Sequence, residues 1–92
     1  MDIQRLRNLT TGRLHTSIDD VMLDIEYLVG ERDIMTHMLP LALPALLPYL
    51  KTVVTDPKFW DDAYDPTHVG EIDVRPMNWT EQAEFWKRYS TL

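Results

Sequence analysis

The sequence predicts a mainly α-helical fold: a small bundle of about four helices, the third bent at prolines, with a long aromatic loop and a short strand or hairpin near residues 70–75. Three observations carry that prediction. Apolar residues recur at helical spacing behind Ser17 and stop at Gly30. Asn78 and Glu81 stand three apart at the head of another amphipathic run. Between these runs Pro40, Pro44 and Pro48 are spaced by four, the repeat of an α-helix rather than the three-residue repeat of a polyproline ligand.

The first helix follows from Ile3, Leu6 and Leu9, with Asp2 able to cap it and Gly12 a natural stop. In "SIDDVMLDIEYLVG" Ser17 is a good N-cap, Asp19 and Asp20 favour the positive end of the helix dipole, and Ile18, Val21, Met22, Ile25, Leu28 and Val29 form a dry stripe. Gly30 closes that second helix. Its back is acidic.

In "MLPLALPALLPYLK" the four-residue spacing advances about 400° on an α-helix, so the three proline rings fall within roughly 80° of one another. Pro40 fits the first helical turn, but Pro44 and Pro48 each remove a backbone donor, at ~3 kcal/mol apiece in a helix interior. A bent helix, or two short helical pieces, is therefore expected, with Leu43, Leu46, Leu50 and Val54 on the side opposite the prolines. The segment is apolar all round. Either it is the central element or its proline face meets a partner.

After Lys51 two Asp-Pro pairs, Asp56-Pro57 and Asp65-Pro66, predict turns, and Phe59, Trp60 and Tyr64 predict a long loop anchored by aromatic rings. The alternation Glu71, Ile72, Asp73, Val74 before Pro76 suits a short strand. Asn78 with Glu81 predicts a capping box for the last helix, in which Trp79, Ala83 and Trp86 share one side.

At 92 residues the chain reads as a single domain, 1–92, able to bury one modest core. It has no cysteine, which excludes disulfide and thiolate chemistry and suits a reducing compartment. The apolar proline stretch is shorter than the ~20 residues a membrane-spanning helix needs, and no signal peptide is recognised; a soluble, cytoplasmic protein is expected. The formal charge of −6 is uneven. Residues 1–15 carry a net +2 and residues 16–50 a net −5. Such global acidity argues against non-specific duplex binding, while leaving a local arginine cluster free to touch nucleic acid.

Two surface features are the candidate partner-binding sites. One is the acidic side of the second helix, Asp19, Asp20, Asp24 and Glu26, which can imitate a phosphate track; a solvated face is the commoner explanation of such a stripe. The other is Arg5, Arg7, Asn8 and Arg13 with Thr10 and Thr11 among them, donors suited to phosphates or acidic protein patches. Asp61, Asp62, Asp65, His68 and Glu71 are the densest group of metal-capable residues, but their spacing matches neither a calcium loop nor a zinc-protease helix. No cofactor is expected. His15, His37 and His68 are far apart and no serine sits in a nucleophile elbow, so an enzyme is not expected.

The segments "RLRNLTTGRLHT", "MTHMLP" and "TDPKFWDDAYDPTHVGEI" resemble a family of small phage and prophage proteins of Gram-negative bacteria. The resemblance implies an accessory protein acting in the cytoplasm of an infected host. By size and context it is similar to type I anti-CRISPR proteins, which implies a non-enzymatic inhibitor of a host CRISPR-associated complex that blocks target DNA, with its guide RNA as a possible contact. Two alternatives stand beside it. One is a structural or regulatory phage protein that homodimerises through the Pro40, Pro44 and Pro48 face. The other, weaker, is a divalent-metal-dependent hydrolase using Asp61, Asp62, Asp65 and His68.

Overall fold

A computed structural model describes residues 1–30, 34–61, 67 and 69–91 of the chain. Five α-helices account for most of them: α1 (Ile3–Thr11), α2 (Ile18–Val29), α3 (Leu39–Val53), α4 (Pro57–Asp61) and α5 (Trp79–Thr91), with a 3₁₀ turn at Thr36–Met38 leading into α3. The core is built where α3 packs against both α1 and α5, and α1 against α2.

The helix ends are set by local chemistry the sequence announces. Asp2 accepts from the Gln4 and Arg5 amides at 2.9 and 3.1 Å, and Ser17 from the Asp20 amide at 3.2 Å. Each side chain satisfies donors that the first helical turn leaves without a partner. Gly12 and Gly30 end α1 and α2 in the left-handed conformation, at φ 71° and 79°. The capping box of α5 is reciprocal: Glu81 N–H donates to Asn78 Oδ1 and Asn78 N–H to Glu81 Oε1, both at 2.9 Å.

α3 departs from the expected bend at its prolines. It runs as one helix of 15 residues through Pro44 and Pro48, and the change of geometry falls earlier, where the 3₁₀ turn joins Leu39. The physical reason is which side the prolines take. Pro40, Pro44 and Pro48 are all exposed, so water reaches the carbonyls that lose their donors, while Ala42, Ala45, Leu46, Tyr49 and Leu50 pack inward. Small alanines on that inner side let α1 and α5 approach.

The expected strand near residues 70–75 is not formed: no β-strand exists among the described residues. The alternation is real, with Val74 buried, Ile72 half-buried and Glu71 and Asp73 exposed, yet pairing stops at one bridge between Asp2 and Glu71. Ile3 N–H donates to the Gly70 carbonyl at 3.0 Å and Ile72 N–H to the Met1 carbonyl at 2.8 Å. No ladder extends because the partner chain turns into α1 at Ile3. Further along, tyrosine hydroxyls take the place of a neighbouring strand. Tyr27 donates to the Val74 carbonyl at 3.0 Å, and Tyr49 donates to that of Arg75.

The aromatic loop is likewise corrected in its first part. Asp56 caps a short helix, accepting from the Lys58 amide at 3.0 Å, with Pro57 at its first position. Phe59 of that helix is fully buried and Trp60 packs edge-on against it. Tyr64 and the Asp65-Pro66 pair lie outside the described residues. In α5, Phe85 takes the core position, flanked by Trp86 and Tyr89. Trp79, at the first position of α5 and two turns before Trp86, is 90% exposed and adds nothing to the core.

Arg75 ties the extended segment to α5. Its guanidinium grips Glu81 with two hydrogen bonds, at 2.5 and 2.6 Å, and lies over the Tyr49 ring. The Arg75 contact, helped by the Asn78 amide, holds the Glu81 carboxyl down at about 2, from an ordinary 4.5. A depressed carboxyl adds stability that is present above the ordinary value and lost as pH falls through the folded one. Thermal stability is therefore expected to decline between about pH 4.5 and about 2 with a component that Glu81→Gln removes. Identical acid profiles for the two proteins would exclude it.

Candidate docking groove

Much of the basic cluster read from the sequence is absorbed by the fold. Arg5 makes a two-pronged ion pair with Asp24: Nη2 donates to Oδ1 at 2.6 Å and Nε to Oδ2 at 3.0 Å, and Asp20 Oδ1 lies 3.9 Å from Nη2. Asp24 is only 5% exposed, which corrects its place on the outer side of α2. It follows Val21 by three residues and precedes Leu28 by four, so it falls on the inward stripe. The pair α1–α2 is thus bolted by a charge contact inside its seam. Burial pushes the Asp24 carboxyl up and the guanidinium opposes that, while the same contact holds Arg5 above its ordinary range.

Arg7 is fully buried. Its Nη1 donates to the Phe59 carbonyl at 3.3 Å and its guanidinium carbon lies 5.0 Å from the centre of the Phe59 ring, so it fastens α4 onto α1. Asn8, also buried, organises the corner between α1 and α2. Its Oδ1 accepts from the His15 and Thr16 amides at 2.6 and 3.1 Å, and its Nδ2 donates to Thr16 Oγ1 at 2.7 Å. Thr11 adds a second tie, donating to the Arg7 carbonyl at 2.7 Å and accepting from the Arg13 amide at 3.2 Å. Arg5, Arg7, Asn8 and Asp24 therefore build the molecule, and Arg13 and Asp19 remain exposed, with Asp20 and Glu26 half-buried.

The corner so fixed is one wall of a groove that sequence reasoning did not place. Thr10, Thr11, Gly12, Arg13, Leu14 and Ile18 face Leu39, Pro40, Leu43, Pro44 and Leu47 of α3 across a cavity of about 540 Å³. Leu14 is 58% and Ile18 37% exposed, and Pro40 and Pro44 are exposed on the opposite wall. The lining is mostly apolar, with Asn8, Thr10, Thr11 and Arg13 as its polar side chains, the composition of a binding pocket. The signal in the sequence was the proline spacing together with Leu14, an apolar residue outside any helical stripe.

Of the metal-capable group, Asp61 and Glu71 are exposed, and Asp62, Asp65 and His68 lie outside the described residues. Among the described residues no three metal-capable side chains come together. No helix among them is long and apolar enough to cross a membrane.

Residues 1–60 match the model of a domain of unknown function, DUF7736. The chain belongs to the DUF7736 family. No curated protein and no solved structure matches the chain. The DUF7736 match contains every residue that lines the groove, together with the Arg5–Asp24 pair and the Asn8 corner. It stops before α5.

Proposed function

We propose that the protein is a non-enzymatic docking protein that binds a host protein complex through the groove between the α1–α2 corner and the proline edge of α3. The observation that supports this reading is the groove itself: a cavity of about 540 Å³ with exposed Leu14 and Ile18 on one wall and exposed prolines on the other. Exposed apolar side chains gathered around a concave surface mark interaction sites, because their transfer out of water favours association. The occupant follows the phage resemblance: a host defence nucleoprotein complex of the CRISPR-associated kind, whose target-DNA binding the protein inhibits. Docking passes from the charged side chains to the groove because Arg5 and Asp24 satisfy each other.

The test is co-purification from host cells, with the captured proteins identified and target-DNA binding by the captured complex measured. Leu14→Asn combined with Ile18→Asn, which leaves net charge unchanged, is expected to lower recovery and inhibition about tenfold or more, in line with loss of central interface contacts. Asp19→Asn combined with Glu26→Gln is expected to stay within about twofold, as for charges at an interface rim. Full recovery with the groove variant, or capture of no nucleic-acid-binding complex, refutes the proposal.

Exposure of all three prolines also favours a second reading, homodimerisation through that face. Light scattering over a micromolar concentration series separates the two. A monomer throughout removes the dimer.

A further inference from the structure

The outer side of α2 sets large apolar side chains among carboxylates. Leu23 is 58% and Tyr27 52% exposed, and because they stand four residues apart they share one side of the helix. Asp19 lies one turn before Leu23, and Asp20 and Glu26 lie three residues to either side of it. α2 contains no basic residue, and of its four carboxylates only Asp24 turns inward to Arg5. A face that served solvation alone would have no use for leucine and tyrosine at its centre, since both leave apolar surface in water.

Tyr27 is fixed in place. Its hydroxyl donates to the Val74 carbonyl at 3.0 Å, so the ring has little freedom left to lose when a partner covers it. Beyond the ring lies a shallow depression of about 630 Å³, lined by Tyr27, Thr52, Val53, Asp73, Val74 and Arg75. Asp73 is exposed there, whereas the Arg75 guanidinium is already held by Glu81 of α5. An apolar strip thus runs from Leu23 over Tyr27 towards Val53, with carboxylates at both ends. None of these side chains lines the groove between the α1–α2 corner and α3.

We infer that this face of α2 binds a basic amphipathic helical segment of a protein partner, independently of the groove. Apolar side chains of that segment at i and i+4 repeat with the same rise of about 6 Å as Leu23 and Tyr27, which they cover. Lysines or arginines on its flanks meet Asp19, Asp20, Glu26 and Asp73. Charge selects this occupant, because the same carboxylates repel nucleic acid and anionic membrane surfaces.

The probe is a synthetic helical peptide with leucines at i and i+4 flanked by lysines, titrated into the isotopically labelled full chain and followed by amide chemical shifts. A second peptide keeps the lysines and replaces each leucine by serine. The first is expected to move the amides of Leu23, Glu26, Tyr27, Asp73 and Val74, and the second to move none of them. Leu23→Asn, at an exposed position and constant charge, is expected to weaken binding about tenfold. Asp19→Asn combined with Asp73→Asn is expected to weaken it about threefold at low salt and to flatten its salt dependence. Leu14→Asn combined with Ile18→Asn is expected to leave it unchanged, so that a failure of the groove reading and a failure here are read from different variants. Equal binding of the serine peptide shows attraction by net charge only and overturns the inference. Unchanged affinity in Leu23→Asn, or shifts centred on Leu14, Ile18 and Leu43, overturns it as well.

Discussion

Arg5→Ala is expected to destabilise the protein by about 2 kcal/mol, because it leaves the Asp24 carboxylate in the α1–α2 seam without its two charged hydrogen bonds, while the exposure of Arg5 lets water recover part of the loss. An exposed ion pair is worth ~1 kcal/mol or less, and the depth of Asp24 is what moves this one to the larger figure. The destabilisation is to be measured as a lower urea midpoint at unchanged slope. The variant's stability is expected to fall with rising pH through the Asp24 titration, since burial without a counter-ion raises the carboxyl and favours its neutral form. Replacing both partners by apolar residues, Arg5→Met with Asp24→Leu, is expected to recover most of the loss, because no charge then remains in the seam. A loss under ~1 kcal/mol for Arg5→Ala shows that the pair is solvated and that the seam is held by Val21, Ile25 and Leu28 alone.

Pro44→Ala and Pro48→Ala are expected to act in the opposite direction and stabilise the fold. A proline inside a helix costs ~3 kcal/mol relative to alanine, through the missing amide and the ring clash with the preceding turn. Against this, alanine restores freedom to the unfolded chain, worth ~1 kcal/mol or less. The first effect wins even when water relieves part of the strain, so a net gain of about 1–2 kcal/mol for each substitution is expected, read as a higher thermal midpoint. A neutral or destabilising result shows that the helix has relaxed around its rings and that the exposed carbonyls are already satisfied. A gain places the proline edge among features retained at a cost to stability, as recognition surfaces often are.

The helical plan was legible because it rests on short-range rules. Asp2, Ser17, Gly30 and the Asn78–Glu81 box each act within one turn of their own position, and each does in the structure what local chemistry dictates. What failed needed a partner distant in sequence. The alternation at residues 71–74 is genuine, but a strand requires a neighbour, and the chain offers only Met1 to Ile3 before α1 begins. Charge was misread for a related reason. Arg7 sits four residues after Ile3 and Asp24 three after Val21, both on inward stripes, so periodicity alone marked them as buried. Their chemical type suggested surface, and position is the stronger signal when a partner such as Phe59 or Arg5 lies opposite. The groove was half legible. Proline spacing showed a common face, whereas the opposing wall depends on Asn8 folding the corner back through amides seven and eight residues on.

α5 closes a part of the molecule that the family match leaves open. Met77 N–H donates to the Leu28 carbonyl at 2.8 Å and Gln82 Nε2 to the Val29 carbonyl at 3.1 Å, so the last turn of α2 is finished by residues some fifty positions later, while Phe85 is fully buried in the common core. The border of recognisable kinship, at residue 60, is thus no seam in the folded body. A chain trimmed there would carry the whole groove yet lose the residues that finish the end of α2 and the buried Phe85.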